Sequence, residues 1–211
     1  SIRRQLLLYE GDAYNRVVVE RARRRLTALD FFEKIDFRED PGAAPDKIVL
    51  VVAVQEKSTG SINFSIGYST QEAIVGSVSL QERNFLGKGY NVRIATQASW
   101  YNQQVDFSFT NPYFMGLPIS AGIDLFVVNT DNTDHSGYNT KQAGGALRTG
   151  FELDENSTVT FKYGLTWRDV DGVDETEAPP AVIESQGKSL KSYVAATYVW
   201  DNLDSPLHPT S

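Results

Sequence analysis

The residues that could do chemistry in this 211-residue chain are few and scattered. There is no cysteine, and the only histidines, His135 and His208, lie far apart in segments with the composition of loops or turns. Neither belongs to a metal-spaced cluster or to a nucleophile motif. We therefore predict no catalytic residue, no metal site and no cofactor, and we expect that the protein is not an enzyme.

Two further motifs could bind small ions, but each has a simpler interpretation. The acidic segment Asp169–Glu175 could bind a hard cation, yet it lacks the register of an EF-hand loop, which favours a solvated acidic loop. Whether residues 169–177 bind a cation stays open at this point. Gly87, Lys88 and Gly89 lack the rest of a phosphate-binding pattern, so we interpret them as a turn between strands.

Composition and charge exclude several classes of protein. Hydrophobic residues make up 41% of the sequence and charged residues 22%, a mixture that can bury a core and is unlike a disordered chain. The longest apolar run, Ile48–Val54, is far shorter than the ~18 residues that a spanning helix needs, whereas the strands of a β-barrel would escape this test.

A basic cluster near the start of the chain could suggest nucleic-acid binding. It consists of Arg21 and Arg23–Arg25, among apolar residues with helical spacing: Val19, Ala22, Leu26 and Leu29. The arginines therefore form the outer face of an amphipathic helix. Residues 1–57 carry a net charge of only +1 and residues 58–211 one of −8, so we expect no nucleic-acid partner.

Residues 1–57 have the pattern of two helices followed by two strands. The spacing of Ile2, Leu6 and Tyr9 predicts a first helix, and Asn15 can cap a second that runs to about Asp30. Strands are predicted over Glu33–Arg38 and Lys47–Gln55, and the near-continuous valines of the latter predict burial on both faces. Because two strands leave an unpaired edge, we expect a further strand before Ser1.

After Lys57 the helical period gives way to alternation with period two, which predicts eight strands. They cover about 60–68, 74–83, 91–99, 105–110, 119–127, 142–151, 159–167 and 190–201. In this alternation Phe64, Phe107, Ile123 and Phe161 fall on an apolar face, and their neighbours Asn63, Asp106, Asp124 and Lys162 fall on a polar one.

The length of the strands distinguishes an outer-membrane β-barrel from a soluble β-sandwich. About ten residues at ~3.3 Å each and ~45° tilt rise about 23 Å, close to the ~25 Å apolar band of an outer-membrane barrel. The connections are predicted to alternate between short turns (85–89, 113–117, 152–156) and generally longer loops (130–139, 169–189), as on the two faces of such a barrel. A soluble β-rich binding module is the alternative.

Several segments resemble one known family in the right order along the chain. Leu26–Ile35 resembles the helix-to-strand junction of a POTRA domain, with Asp30 where that family usually has glycine. Thr59–Tyr68, Asn84–Tyr90 and Thr110–Phe114 resemble the opening strands and turns of BamA-type barrel-assembly insertases, and Asp201–Thr210 resembles a later periplasmic turn.

The resemblance implies an α+β POTRA-like domain without its first strand at residues 1–57. It implies antiparallel transmembrane strands, about eight of a larger barrel, at residues 58–211. Such a protein would lie in the outer membrane of a Gram-negative cell with its N-terminal domain in the periplasm. Its partners would be unfolded outer-membrane protein precursors, accessory lipoproteins of the assembly complex and outer-membrane lipid.

The resemblance also assigns functional positions. The lateral-gate strand, at which a new barrel strand would be added, would be Gly60, Ser61, Ile62, Asn63, Phe64, Ser65, Ile66, Gly67 and Tyr68. The periplasmic turn motifs would be Asn84, Gly87, Gly89, Asn111, Pro112, Tyr113 and Phe114. A polypeptide-secretion pore of a related POTRA-barrel family is an alternative function.

Overall fold

The computed structural model describes residues 2–6, 8–45, 47–70, 72–131, 133, 137–154, 156–176 and 178–201. These residues form two compact units, one within Ser1–Thr59 and the other within Gly60–Asn202. The predicted domain boundary after residue 57 lies two residues before this division. None of the described helices is long and apolar enough to cross a membrane.

The first unit contains helices α1 (Ile2–Leu6) and α2 (Arg16–Ala28) and the antiparallel strands β1 (Phe32–Pro41) and β2 (Ile48–Glu56). Asn15 caps α2 as predicted, because its side-chain oxygen accepts a hydrogen bond from the Val17 amide at 2.9 Å. The predicted apolar face is largely confirmed, since Val19, Ala22 and Leu26 are buried. Leu29, just past the helix, is half-buried.

The first helix ends earlier than predicted. Instead of extending to Tyr9, it stops at Leu6, and the chain then turns between Tyr9 and Asp12. The Asp12 carboxylate accepts a hydrogen bond from the Tyr9 amide at 2.9 Å, while the Asp12 amide donates to the Tyr9 carbonyl at 3.1 Å. These two bonds give the backbone an alternative to a further helical turn.

The prediction that β2 is buried on both faces is wrong. Ile48 and Val49 are 44% and 50% exposed, and no residue of the strand is fully buried. The reason is that the described part of this sheet has only two strands, which leaves little structure to cover a second face. A run of valines in the sequence is equally compatible with a buried strand and with an edge.

The second unit is one eight-stranded antiparallel sheet in which each strand pairs with the next along the chain. Its strands are β3 (Gly60–Ser69), β4 (Ala73–Phe85), β5 (Tyr90–Ala98), β6 (Asn102–Asn111), β7 (Ile119–Asp131), β8 (Asn139–Glu152), β9 (Ser157–Asp171) and β10 (Gly187–Trp200). The eight predicted strands are confirmed. The sheet is not closed, since among the described residues β3 pairs only with β4 and β10 only with β9.

The connections are less regular than predicted. At one end of the sheet the turns span 86–89, 112–118, which includes a 3₁₀ turn at Phe114–Gly116, and 153–156. At the other end they span 70–72, 99–101, 132–138 and 172–186, the last of which contains helix α3 (Pro180–Glu184). The expected long-loop end therefore begins with two connections of three residues and lengthens only toward β10.

The register divides the sheet into two chemically different faces. Phe64, Phe107, Ile123 and Phe161 share the apolar face, and Asn63, Asp106, Asp124 and Lys162 share the polar face, as predicted. Many side chains on the apolar face are exposed, including Phe64 at 73% and Leu147 at 60%. The second unit thus presents to its surroundings the kind of surface that soluble domains bury.

Candidate functional site: the edge strand, the polar face and the turns

Strand β3, the predicted lateral-gate strand, is exposed along nearly its whole length. It forms one edge of the sheet, and its register with β4 runs from Gly60 opposite Glu82 to Ser69 opposite Ala73. Every side chain from residue 60 to residue 68 is exposed. On the polar face, the Ser65 hydroxyl of β3 forms a hydrogen bond of 2.8 Å with the Ser77 hydroxyl of β4. The strand therefore depends mainly on backbone pairing.

Strands β7 to β10 are packed differently on the same polar face. A methyl group added at Gly144 would lie 2.6 Å from the Phe126 ring and 2.7 Å from the Leu165 carbonyl oxygen. One added at Gly164 would overlap the Tyr193 ring. Glycine is required at both positions because an aromatic ring from the neighbouring strand occupies the space of a side chain. At Gly67 in β3, by contrast, an added methyl group would meet nothing within 4 Å.

This difference predicts opposite effects for two glycine-to-alanine substitutions. Gly144→Ala should destabilise the folded sheet by about 1–3 kcal/mol, because the added methyl group overlaps a ring and a backbone carbonyl. Gly67→Ala should be neutral or stabilising by up to about 1 kcal/mol, since the space is open and the unfolded chain loses freedom. Urea unfolding of the two folded variants in lipid vesicles would measure both. Equal destabilisation would show that β3 is packed as tightly as β8.

An ion-pair cluster lies on the polar face across β6 to β9. The Asp124 carboxylate is 2.9 Å from Nε of Arg148 and 3.1 Å from Nζ of Lys162, and it accepts a hydrogen bond of 3.0 Å from Ser108. Arg148 also donates to the hydroxyls of Ser108 and Thr110, both at 3.0 Å. These side chains are partly buried, with exposed fractions of 25–33% for the three charged residues. The cluster joins four consecutive strands.

Replacing the acidic member of this cluster should destabilise the sheet. Asp124→Asn removes the only negative charge of the cluster and leaves Arg148 beside Lys162, so we expect a loss of about 1–3 kcal/mol in the free energy of unfolding. Asp106→Asn is the matched control on the same face, where the carboxylate accepts a hydrogen bond from the uncharged Gln104 at 2.8 Å. Urea unfolding in vesicles provides the comparison, and similar losses for the two variants would argue against the cluster.

The first predicted turn motif forms a closed turn between β4 and β5. The Asn84 side chain accepts a hydrogen bond from the Gly89 amide at 2.8 Å, and the Asn84 carbonyl accepts one from Gly87 at 2.9 Å. Gly87 and Gly89 have φ of +67° and +72°, which favours glycine at both positions. The interpretation of residues 87–89 as a strand turn is confirmed.

The second predicted turn motif lies at the same end of the sheet, between β6 and β7. The Asn111 side chain accepts a hydrogen bond from the Tyr113 amide at 3.0 Å, which bridges Pro112. Phe114 begins the 3₁₀ turn that follows. The structure thus brings the two turn motifs to one end of the sheet, while the predicted gate strand, β3, forms one of its sides.

The remaining candidates for chemistry do not form a site. His135 and His208 lie outside the described residues. Within the part of the chain that the structure describes, no group of three or more acidic or histidine side chains could hold a metal ion. In the acidic segment Asp171 pairs with Lys141 at 3.0 Å, and hydrogen bonds from Thr176 lower the pKa of Asp174.

Sequence reasoning missed Arg148, Phe126 and Tyr193, which organise the polar face. Alternation alone places each of them on that face once the strands are known. Their partners, however, depend on which residues lie opposite in neighbouring strands, and the short motifs of the sequence do not give that register. The glycines opposite the two rings were the available signal, since glycine within a strand indicates a close approach of another group.

In the second unit each strand pairs with the next along the chain, and the sheet has one exposed apolar face and one polar face. This is the arrangement found in the wall of a membrane β-barrel. Residues 84–211 match the model of the Omp85 superfamily domain, and the chain belongs to that superfamily.

Curated relatives agree with this assignment. The chain is 28% identical over 207 residues to the outer membrane protein assembly factor BamA of Nitratidesulfovibrio vulgaris, covering 98% of this chain and 26% of that protein. It is 27% identical over 208 residues to BamA of Neorickettsia risticii, covering 99% of this chain and 28% of that protein. The chain thus spans about a quarter of the length of these relatives.

Solved structures show the same fold. BamA from Haemophilus ducreyi lacking POTRA domains 1–3 superposes with a TM-score of 0.77 at 23% identity, covering 99% of this chain and 42% of that one. CdiB from Acinetobacter baumannii gives a TM-score of 0.52 at 12% identity, covering 92% and 39%. The fold is therefore more similar to BamA than to CdiB.

Proposed function

We propose that the chain is part of an outer-membrane protein assembly factor, which folds β-barrel precursors and inserts them into the outer membrane. The observation that carries this proposal is the alignment over nearly the whole chain, both units included, with relatives that bear that name. The higher TM-score with BamA than with CdiB supports the same choice.

In this proposal the two units have separate roles. Residues 1–57 are the last POTRA domain, in the periplasm, where it passes unfolded precursors onward and docks accessory lipoproteins. Residues 58–211 are the first half of the barrel, whose apolar face contacts lipid and whose polar face lines the lumen. The exposed aromatic and aliphatic side chains of the apolar face support this orientation, because water would disfavour them.

The mechanism that we propose operates at β3. A strand edge beside lipid must have its backbone groups paired, so in the closed barrel β3 pairs with the closing strand. When that seam opens, β3 offers a row of amides and carbonyls on which an incoming strand can pair by β-augmentation. The exposure of the β3 side chains supports this role, and the exchange of hydrogen bonds needs no covalent chemistry or nucleotide.

The turn motifs have a supporting role in this proposal. Asn84, Gly87 and Gly89 close the β4–β5 turn, and Asn111 with Pro112, Tyr113 and Phe114 shapes the β6–β7 turn. Both lie at the end of the sheet that we assign to the periplasm. They keep β4 to β7 joined while β3 exchanges its partner.

Reconstitution of the full-length protein in liposomes tests the function. Urea-denatured barrel precursors are added, and the fraction that becomes folded and protease-protected is compared with that in empty liposomes. We expect a clear increase for several unrelated precursors. No increase, together with a steady ion conductance, would instead indicate a secretion pore, and recovery of the protein in the aqueous fraction would indicate a soluble module.

A further inference from the structure

Two turns at the same end of the sheet share a three-residue pattern. Phe85 ends β4 and is followed in the turn by Leu86 and Gly87, while Phe114, Met115 and Gly116 lie in the β6–β7 turn. Each segment therefore has phenylalanine, an apolar residue and glycine. The backbone conformations match as well. Leu86 and Met115 have φ of +59° and +53°, and the glycines that follow have φ of +67° and +83°.

These conformations are unfavourable for the aliphatic residues that adopt them. The left-handed region suits glycine or asparagine, whereas a leucine or methionine in it brings its Cβ close to the backbone. An unfavourable backbone is normally retained because packing or function requires it. Packing against the described part of the chain is not the reason here, since Leu86 is 71% exposed and Met115 is 83% exposed.

A third turn at this end has the same surface property. Leu153, in the turn between β8 and β9, is 63% exposed. Each of the three turns therefore exposes a large apolar side chain. Single exposed apolar residues are ordinary on a protein surface, but a series in consecutive turns at one end indicates an apolar surrounding outside the protein.

The residues beside these turns indicate what that surrounding is. Tyr90 belongs to the apolar face and packs edge-on against Phe109, with ring centroids 5.4 Å apart. The Lys88 ammonium lies 5.9 Å from the centre of the Tyr90 ring. Here a tyrosine lies on the apolar face and a lysine ammonium lies over its ring. This pairing is found where a membrane protein crosses the boundary between hydrocarbon and headgroups.

We propose that Leu86 and Met115 insert into the interfacial layer of the bilayer, where they anchor this end of the sheet while Lys88 contacts acidic headgroups. This inference rests on the proposed function, because it requires the apolar face to contact lipid. The anchor is continuous with that face through Phe85, which lies opposite Tyr90 and is 42% exposed.

The test uses fluorescence in vesicles of phosphatidylethanolamine and phosphatidylglycerol. These 211 residues contain no cysteine. After any cysteine elsewhere in the full-length protein has been replaced by serine, single cysteines are introduced and labelled with NBD in the folded protein. The probe positions are Leu86→Cys and Met115→Cys. Phe64→Cys is the control on the apolar face, and Asn63→Cys is its neighbour on the polar face.

We expect shallow doxyl-labelled lipids to quench the probes at 86 and 115 by at least as large a fraction as the probe at 64. Iodide should quench them less than it quenches the probe at 63. If positions 63 and 64 behave as assigned but 86 and 115 are quenched by iodide and not by lipid, the anchor is rejected while the proposed function stands. If 63 and 64 do not differ, the lipid-facing assignment itself fails.

A second measurement needs no substitution. The unaltered full-length protein is reconstituted with phosphatidylglycerol that carries a photoactivatable diazirine near the headgroup, and the adducts are mapped by mass spectrometry. Lipid adducts on the peptides that contain Leu86 and Met115 support the anchor. Adducts on the apolar strands with none on these two turns would overturn it.

Discussion

Tethering β3 to the closing strand of the barrel should abolish insertion of precursors while leaving the barrel folded. If β3 must part from that strand, a covalent link stops the exchange, whereas the native hydrogen bonds contribute only about 0.5–1.5 kcal/mol each. One cysteine is placed at Ser65, which is exposed, and another at the facing position of the closing strand, within about 7 Å between Cα atoms. The oxidised protein should lose insertion activity in liposomes and regain it on reduction.

A matched pair of cysteines controls for the disulfide itself. Thr96 and Val105 lie opposite each other across β5 and β6, strands that we do not propose to separate. Oxidation of Thr96→Cys with Val105→Cys should leave insertion activity unchanged. Full activity of the Ser65 variant with a quantitatively formed crosslink would reject opening at this seam, although the fold would stand.

An arginine on the apolar face should oppose insertion of the sheet far more than an arginine on the polar face. Phe107→Arg places a charge against lipid, and for a site near the middle of the bilayer the expected cost is about 2–4 kcal/mol. Asp106→Arg, at the neighbouring position, places the same charge on the polar face and should cost less. Urea-dependent folding of the full-length protein into vesicles measures both free energies.

The two substitutions are matched because Asp106 and Phe107 are adjacent in β6 and differ mainly in the face they occupy. A stability loss that depends on the face requires the bilayer to be on one side only. The same tolerance of both variants would contradict the assignment of the apolar face to lipid, whatever the behaviour of β3.

Much of the fold follows from local patterns in the sequence. Alternation is a property of neighbouring residues, so the eight strands of the second unit and the face of each side chain could be predicted. The N-cap at Asn15 and the buried face formed by Val19, Ala22 and Leu26 are likewise determined within about three turns of helix. In these segments local preference and tertiary structure agree.

Other features depend on residues that are distant in the sequence. Asp124 was assigned to the polar face, but its contact with Arg148 requires the register of β7 against β8. The exposure of Val49 depends on how many strands the sheet contains, which a single strand cannot reveal. Leu86 and Met115 adopt conformations that sequence preference argues against, and such positions are where structure adds most.

At the end of the sheet opposite the two turn motifs, the connections lengthen along the chain from residues 70–72 to residues 172–186. Between β3 and β6 the connections at this end have only three residues each, and the longer ones join β7 to β8 and β9 to β10. In the proposed mechanism, a hairpin that pairs along β3 would therefore meet only short connections among those of β3 to β6. Among the connections at this end of the sheet, the shortest thus adjoin the strand at which we propose that precursors pair.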